Sequence, residues 1–146
     1  MPRDKEIHRP HFGVFTRIRP SKIHRGGVGV FAIVRIKKGT YIFPDDTARI
    51  CRVKKDSLRG LSGELRRLYE YFAVIKGDYY LCPLSFNRLT VSWYINEPKK
   101  GQRPNVGCDR TDYTFYALRH IKAGEELKTD YSTYSELPNR RKLKVR

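Results

Sequence analysis

Three groups of residues in this 146-residue chain have the types and spacing to do chemistry. Gly27-Val28-Gly29 is a Gly-x-Gly turn. Its glycines let the backbone approach a ligand closely and leave main-chain amides to meet a carboxylate or an amino group. Arg25, just before it, could pair with a ligand carboxylate. Asn96 offers a donor and acceptors at one compact position, suited to an amino group and nearby polar atoms, and the carboxylate of Glu97 beside it could attract a cation. Tyr131 closes the stretch Ala123-Gly124-Glu125-Glu126-Leu127-Lys128-Thr129-Asp130, a turn followed by entry into a short strand. A phenol can polarise and orient an amine while its ring walls a narrow channel. Each group also has an ordinary structural role, as a tight turn, a loop anchor or a packed ring.

Binding and orientation, not acid–base work, is the chemistry these residues suit. No recognisable catalytic triad accompanies them. His8, His11, His24 and His120 lack a paired ligand spacing and are given neither a metal nor a catalytic role. Cys51, Cys82 and Cys108 are far apart, with no Cys-x-x-Cys pair, and read as idle thiols. No metal is expected.

The elements that must position these residues are mostly strands. Segments 14–19 and 29–34 read as strands around the glycine turn, 41–43 as a short third and 50–53 as a fourth. Leu58, Leu61, Leu65, Leu68 and Phe72 recur at helical spacing and predict a packing face, with the firm helix starting near Ser62 and running to about Phe72. Segments 79–83, 90–95 and 113–118 add strands. The expected class is mostly β, in the α+β sense, with one principal helix. A loosely ordered lead-in is expected at 1–11, one domain at 12–134 and a basic tail at 135–146.

The net charge of +16 makes an acidic partner expected and nucleic-acid contact through a basic surface easy. No apolar run approaches the length of a membrane span, and the first residues lack the apolar stretch of a secretory signal, so an intracellular location is expected, cytoplasmic in a bacterium or nuclear.

Taken together, Gly27-Val28-Gly29-Val30-Phe31-Ala32 with Ile36-Lys37-Lys38-Gly39-Thr40, then Tyr94-Ile95-Asn96 with Pro104-Asn105-Val106, then Ala123 to Tyr131, resemble in order the opening, central and closing motifs of SET-domain protein-lysine methyltransferases. The departures are Glu97-Pro98, where that family reads His-Ser, and a longer stretch, Lys99-Lys100-Gly101-Gln102-Arg103, before Pro104. The resemblance implies a fold of short β-sheets with a C-terminal pseudoknot, and S-adenosylmethionine-dependent methyl transfer to the side-chain amine of lysine in a protein substrate. It implies a cofactor site at Gly27, Val28, Gly29, Asn96, Glu97 and Tyr131, and a catalytic role for Tyr131 near the transferred methyl group. Among the other tyrosines (Tyr41, Tyr80, Tyr94, Tyr113, Tyr116 and Tyr134), Tyr94 and Tyr116 are the candidates for the substrate channel. The alternative is a degenerate SET domain, a basic nucleic-acid- or protein-binding module without catalysis.

Overall fold

The computed structural model describes residues 11, 13–46 and 50–136. Residues 1–10 of the lead-in expected at 1–11 and residues 137–146 of the basic tail expected at 135–146 lie outside the described residues. Strand β1 (Thr16–Pro20) pairs antiparallel with β2 (Val28–Ala32), joined by the turn that carries Gly26 and Gly27. Strand β3 (Ile50–Lys54) is followed by helix α1 (Gly63–Phe72), β4 (Val74–Lys76) and β5 (Tyr79–Pro83), forming an antiparallel sheet in the order β3-β5-β4. Strand β6 (Val106–Asp109) and β7 (Thr114–Ala117) form the third sheet, also antiparallel.

Two expected strands are corrected. Segment 41–43 makes only a single bridge, Tyr41 to Tyr116, because Pro44 stops it before a ladder can grow. Segment 90–95 is a 3-10 turn, Val91–Tyr94. Its β-branched and aromatic composition favours a strand, but the hydroxyls of Thr90 and Ser92 both bond the carboxylate of Asp46 (2.9 and 2.7 Å), which curls the segment. Strands β4 and β6 are short and carry too few alternating residues to stand out in the sequence.

Helix α1 begins where expected. Ser62 caps it by accepting a hydrogen bond from the Leu65 amide at 3.3 Å. The leucine face is less of a packing face than its spacing predicts. Leu58 is buried, but Leu65 is 38% exposed and no residue of α1 is fully covered. Phe72 holds the end of the helix to the body through an edge contact with Tyr94, 5.5 Å between ring centres.

The core gathers Val30, Ala32, Ile36, Ile42, Ile95, Val106, Ala117, Ile121 and Leu127. It includes no residue of the β3-β5-β4 sheet or of α1. The segment from Glu126 to Thr129 ties it together. On one side it bridges Phe31 of β2; on the other it runs parallel to Asn96 and Val106. Leu127 donates its amide to the Val30 carbonyl (2.7 Å), and Thr129 donates to the Asn96 carbonyl (3.0 Å). This late segment is inserted between parts of the chain laid down much earlier, as the expected C-terminal pseudoknot requires. Asn105, fully buried, locks it: its amide donates to the Glu126 carbonyl (3.0 Å) and its Oδ1 accepts from the Lys128 amide (2.7 Å). After Tyr131–Thr133, the chain returns to β4. There the Ser135 hydroxyl accepts from the Ile75 amide, the Glu136 amide donates to the Ile75 carbonyl and the Glu136 carboxylate accepts from the Gly77 amide. The packed chain thus extends past the boundary expected at 134.

Candidate functional site

Alternation along the inserted segment decides what faces the glycine turn. Leu127 is in the core, so its neighbours Glu126 and Lys128 turn to the opposite face. Glu126 is 7% exposed and meets three donors. Its Oε1 accepts from Ser21 Oγ (2.7 Å) and Asn96 Nδ2 (3.2 Å), and its Oε2 accepts from the Lys22 amide (2.8 Å). A carboxylate with three donors is well compensated for its burial. Gly29 is what makes room for it, since a Cβ there would land on Glu126 Oε1.

Asn96 is oriented by the same cluster. Its Nδ2 reaches the Val28 carbonyl at 2.9 Å, Glu126 Oε1 at 3.2 Å and Ser21 Oγ at 3.3 Å. Because a carbonyl and a carboxylate only accept, the amide nitrogen must point toward them. That leaves Oδ1 as the side chain's acceptor. Gly27, Val28, Gly29 and Asn96 are therefore brought together from sequence positions about seventy apart. Glu97, half-buried, follows directly.

Tyr131 is joined to this cluster through the backbone. Its hydroxyl donates to the carbonyl of Ile95, the residue before Asn96, at 2.5 Å. A phenolic oxygen can accept as well as donate. Its ring stands at 6.1 Å from that of Tyr134 in an edge arrangement. Both line a cavity of about 70 Å³, walled mainly by aromatic side chains: Phe43, Tyr71, Phe72, Trp93, Tyr113 and Phe115. Room for one water needs about 10–15 Å³, so this space suits a slim chain of a few atoms. Asp46 and Asp112 are also on its lining. Tyr113 sits at φ 57°, a left-handed backbone uncommon for an aromatic residue. The turn is held there by Asp109 and Asp112, whose carboxylates accept from the Thr111 and Thr114 amides.

Tyr94 and Tyr116, the tyrosines expected along the channel, are not among the residues lining this cavity. In the 3-10 turn Val91–Tyr94, Ser92 and Trp93 face the cavity, while Tyr94 packs on Phe72. In β7, Phe115 faces the cavity, while Tyr116 lies over Gly107, where an added Cβ would come within 2.8 Å of its ring. Arg25 is exposed. Ser21, Glu126, Phe43, Phe72, Trp93 and Phe115 join the site only through the tertiary structure. The one signal for Glu126 was its place one residue before a core leucine.

The charges around these groups are set by local partners. The Thr111 amide and hydroxyl beside Asp109 hold its carboxyl below the usual value, and that carboxylate raises the Tyr41 phenol. Burial pushes the Cys108 thiol up to about 12. Burial and the neighbouring Cys51 do the same for Cys82. Among the described residues, no group of three His, Cys, Asp or Glu is placed to hold a metal.

No curated protein matches the chain in sequence. Solved structures do resemble it in shape. The methyltransferase domain of human PR domain-containing protein 2 superposes with a TM-score of 0.51 at 15% identity, covering 87% of this chain and 94% of that one. A humanised mutant of the Chaetomium thermophilum Polycomb Repressive Complex 2, bound to the inhibitor GSK126, gives a TM-score of 0.55 at 19% identity over 88% of this chain. The ctPRC2 complex in an autoinhibited conformation bound to S-adenosylmethionine gives 0.52 at 21% identity over 89%. This chain spans 16% of each of the latter two. At these identities the likeness speaks for the fold. Residues 27–132 match the SET domain family, more than half of the chain and all three of the motifs that build the cluster and the cavity wall: the chain belongs to the SET domain family.

Proposed function

We propose that the protein transfers a methyl group from S-adenosylmethionine to the side-chain amine of a lysine in a protein substrate. The observation that carries this reading is the join between two sites. The Tyr131 hydroxyl on the wall of the aromatic cavity is bonded to the carbonyl of the residue preceding Asn96, so a cavity for a slim chain adjoins a cluster suited to a charged small molecule.

The residues present fit the cofactor. Asn96 Oδ1 offers an acceptor for its ammonium group, the Gly27-Val28 main chain provides a close backbone edge, and the Glu97 carboxylate supplies charge for a cation. The family's histidine in the place of Glu97 serves by its main-chain groups, which glutamate also has. Pro98 has no N–H, so any contact there is limited to its carbonyl. When bound, S-adenosylmethionine supplies the electrophilic methyl, and the protein's part is binding and orientation.

The chain's own residues then prepare the nucleophile. A lysine amine has an ordinary pKa of about 10.4 and must be neutral to attack. Aromatic walls withdraw it from water, which lowers that value and favours release of the ammonium proton to solvent before the stem is fully seated. The Tyr131 oxygen accepts from a remaining N–H of the lysine Nζ and aims its lone pair. No side-chain base is required.

The test is calorimetric titration of S-adenosylmethionine into wild type, Asn96→Ala and Tyr131→Phe, followed by mass spectrometry of lysine-containing peptides and basic proteins. Asn96→Ala should bind the cofactor at least ten-fold more weakly. Tyr131→Phe should bind it nearly as well and transfer methyl at least a hundred-fold more slowly. A folded wild type that does not bind the cofactor would remove the proposal and favour a binding module without catalysis.

A further inference from the structure

Two turns of the same sequence form meet on this fold. Ile36-Lys37-Lys38-Gly39 and Ile121-Lys122-Ala123-Gly124 both read Ile-Lys-x-Gly, and both glycines adopt positive φ, 83° and 89°. The two isoleucines, 1% and 0% exposed, exchange both main-chain hydrogen bonds at 2.9 and 2.8 Å in an antiparallel bridge. With both isoleucines turned into the core, the residues on either side are exposed. Antiparallel register then sets Arg35 opposite Lys122, and Lys37 opposite His120. The Lys38 amide donates to His120 Nδ1 at 3.2 Å, which closes the cluster.

The like charges of Arg35 and Lys122, set opposite each other across the bridge, oppose folding. Here they are barely offset. Arg119 pairs with Glu125 at 3.0 Å, but among the described residues no ion pair reaches Arg35, Lys37, Lys38 or Lys122. The sequence from 11 to 44, which supplies half of this face, has seven Lys and Arg and no Asp or Glu. A dense set of cations held on this bridge, with Glu125 as the one carboxylate bonded within its turns, fits a partner with closely spaced negative charges.

We propose that the face formed where these two turns meet docks the phosphate backbone of nucleic acid, independently of the methyl-transfer site. Its contacts are electrostatic and read no sequence, so binding releases counterions and weakens steeply with salt. Such a face also answers a difficulty of the chain's charge: nucleic acid between two basic proteins would let a basic substrate approach.

The test uses fluorescence anisotropy of a labelled 20-base-pair DNA duplex of arbitrary sequence, titrated with the full chain at salt from 50 to 200 mM. The compared variants are the combined Arg35→Ala, Lys37→Ala, Lys38→Ala, Lys122→Ala substitution, and a full chain with Arg140, Arg141, Lys142, Lys144 and Arg146 changed to Ser. Removing four phosphate contacts should reduce the slope of log affinity against log salt by about 3.6, so the wild type loses on the order of 100-fold more affinity than the variant across that range. The tail variant should keep most of the wild-type slope. A melting temperature at or above that of wild type, from relief of the Arg35–Lys122 repulsion, confirms that the four-fold variant is folded. If it is not, Lys37→Gln with Lys122→Gln should lower the slope by about 1.8. An unchanged slope in the folded variant, loss of binding only in the tail variant, or no binding by wild type would each overturn the proposal. Retention on anionic phospholipid vesicles but not on DNA, abolished by the same substitutions, would overturn it too.

Discussion

Glu126→Gln tests whether the buried carboxylate organises the glycine-turn cluster. Glutamine keeps the shape and changes one oxygen to NH₂. Ser21 Oγ already accepts from the Ile23 and His24 amides at 3.0 and 2.9 Å, so its hydrogen is committed toward Glu126 Oε1. Asn96 Nδ2 and the Lys22 amide can only donate. Whichever way the new amide turns, a donor therefore faces a donor. A charge-assisted hydrogen bond contributes about 1.5–3 kcal/mol, and a stranded buried donor costs about 1–3 kcal/mol. A loss of about 2–4 kcal/mol is expected, or about 6–15 °C in melting temperature for a domain of this size. Asn96 loses part of its orientation at the same time, so affinity for S-adenosylmethionine should fall with stability. The comparison is Glu125→Gln. That residue is partly exposed and paired with Arg119, and its loss should cost under about 1 kcal/mol. Thermal denaturation followed by circular dichroism, with calorimetric titration of the cofactor, reads both effects. A Glu126→Gln protein within about 0.5 kcal/mol of wild type, with unchanged cofactor affinity, would refute the view that this carboxylate organises the cluster.

Other perturbations reach different parts of the molecule. Thr129 Oγ1 is buried without a partner among the described residues, so Thr129→Val should leave stability unchanged or raise it by about 1 kcal/mol in chemical denaturation. Gly107→Ala should cost about 1–3 kcal/mol by forcing the Tyr116 ring away from β6, with a lower melting temperature as the readout. Cys82 and Cys108, each near 12, should be about a thousand-fold poorer in thiolate at pH 8 than unfolded thiols, so mass spectrometry should find iodoacetamide slow on both until the chain unfolds. Burial tends to raise the Glu125 carboxyl, but the Arg119 hydrogen bond and the Lys122 amide outweigh it and hold the group below 4.5. A depressed folded value stabilises above the unfolded one and fades as pH falls through the folded one. The stability gap between wild type and Arg119→Ala should thus be full above pH 4.5 and close on acidification, measured by urea denaturation across pH.

Local pattern fixed the parts of this protein that depend on near neighbours. Helix α1 started at Ser62 because a hydroxyl cap and helical spacing act over a few residues. The strands beside the glycine turn followed from alternation and β-branched composition, and the three motifs in order carried the family, since their identity does not depend on knowing what they touch. Long-range pairing decided the rest. Segment 90–95 reads as a strand until the Asp46 carboxylate draws its hydroxyls into a turn. Which of ten tyrosines face the cavity is a matter of which side of each element is buried, and that put Tyr113 and Tyr134 on the wall and left Tyr94 and Tyr116 off it. Glu126 reads as an ordinary surface glutamate beside Glu125. Only insertion of its segment between β2 and Asn96 brings it against Ser21, Lys22 and the space above Gly29, because a carboxylate's role is set by donors that arrive from elsewhere in the chain.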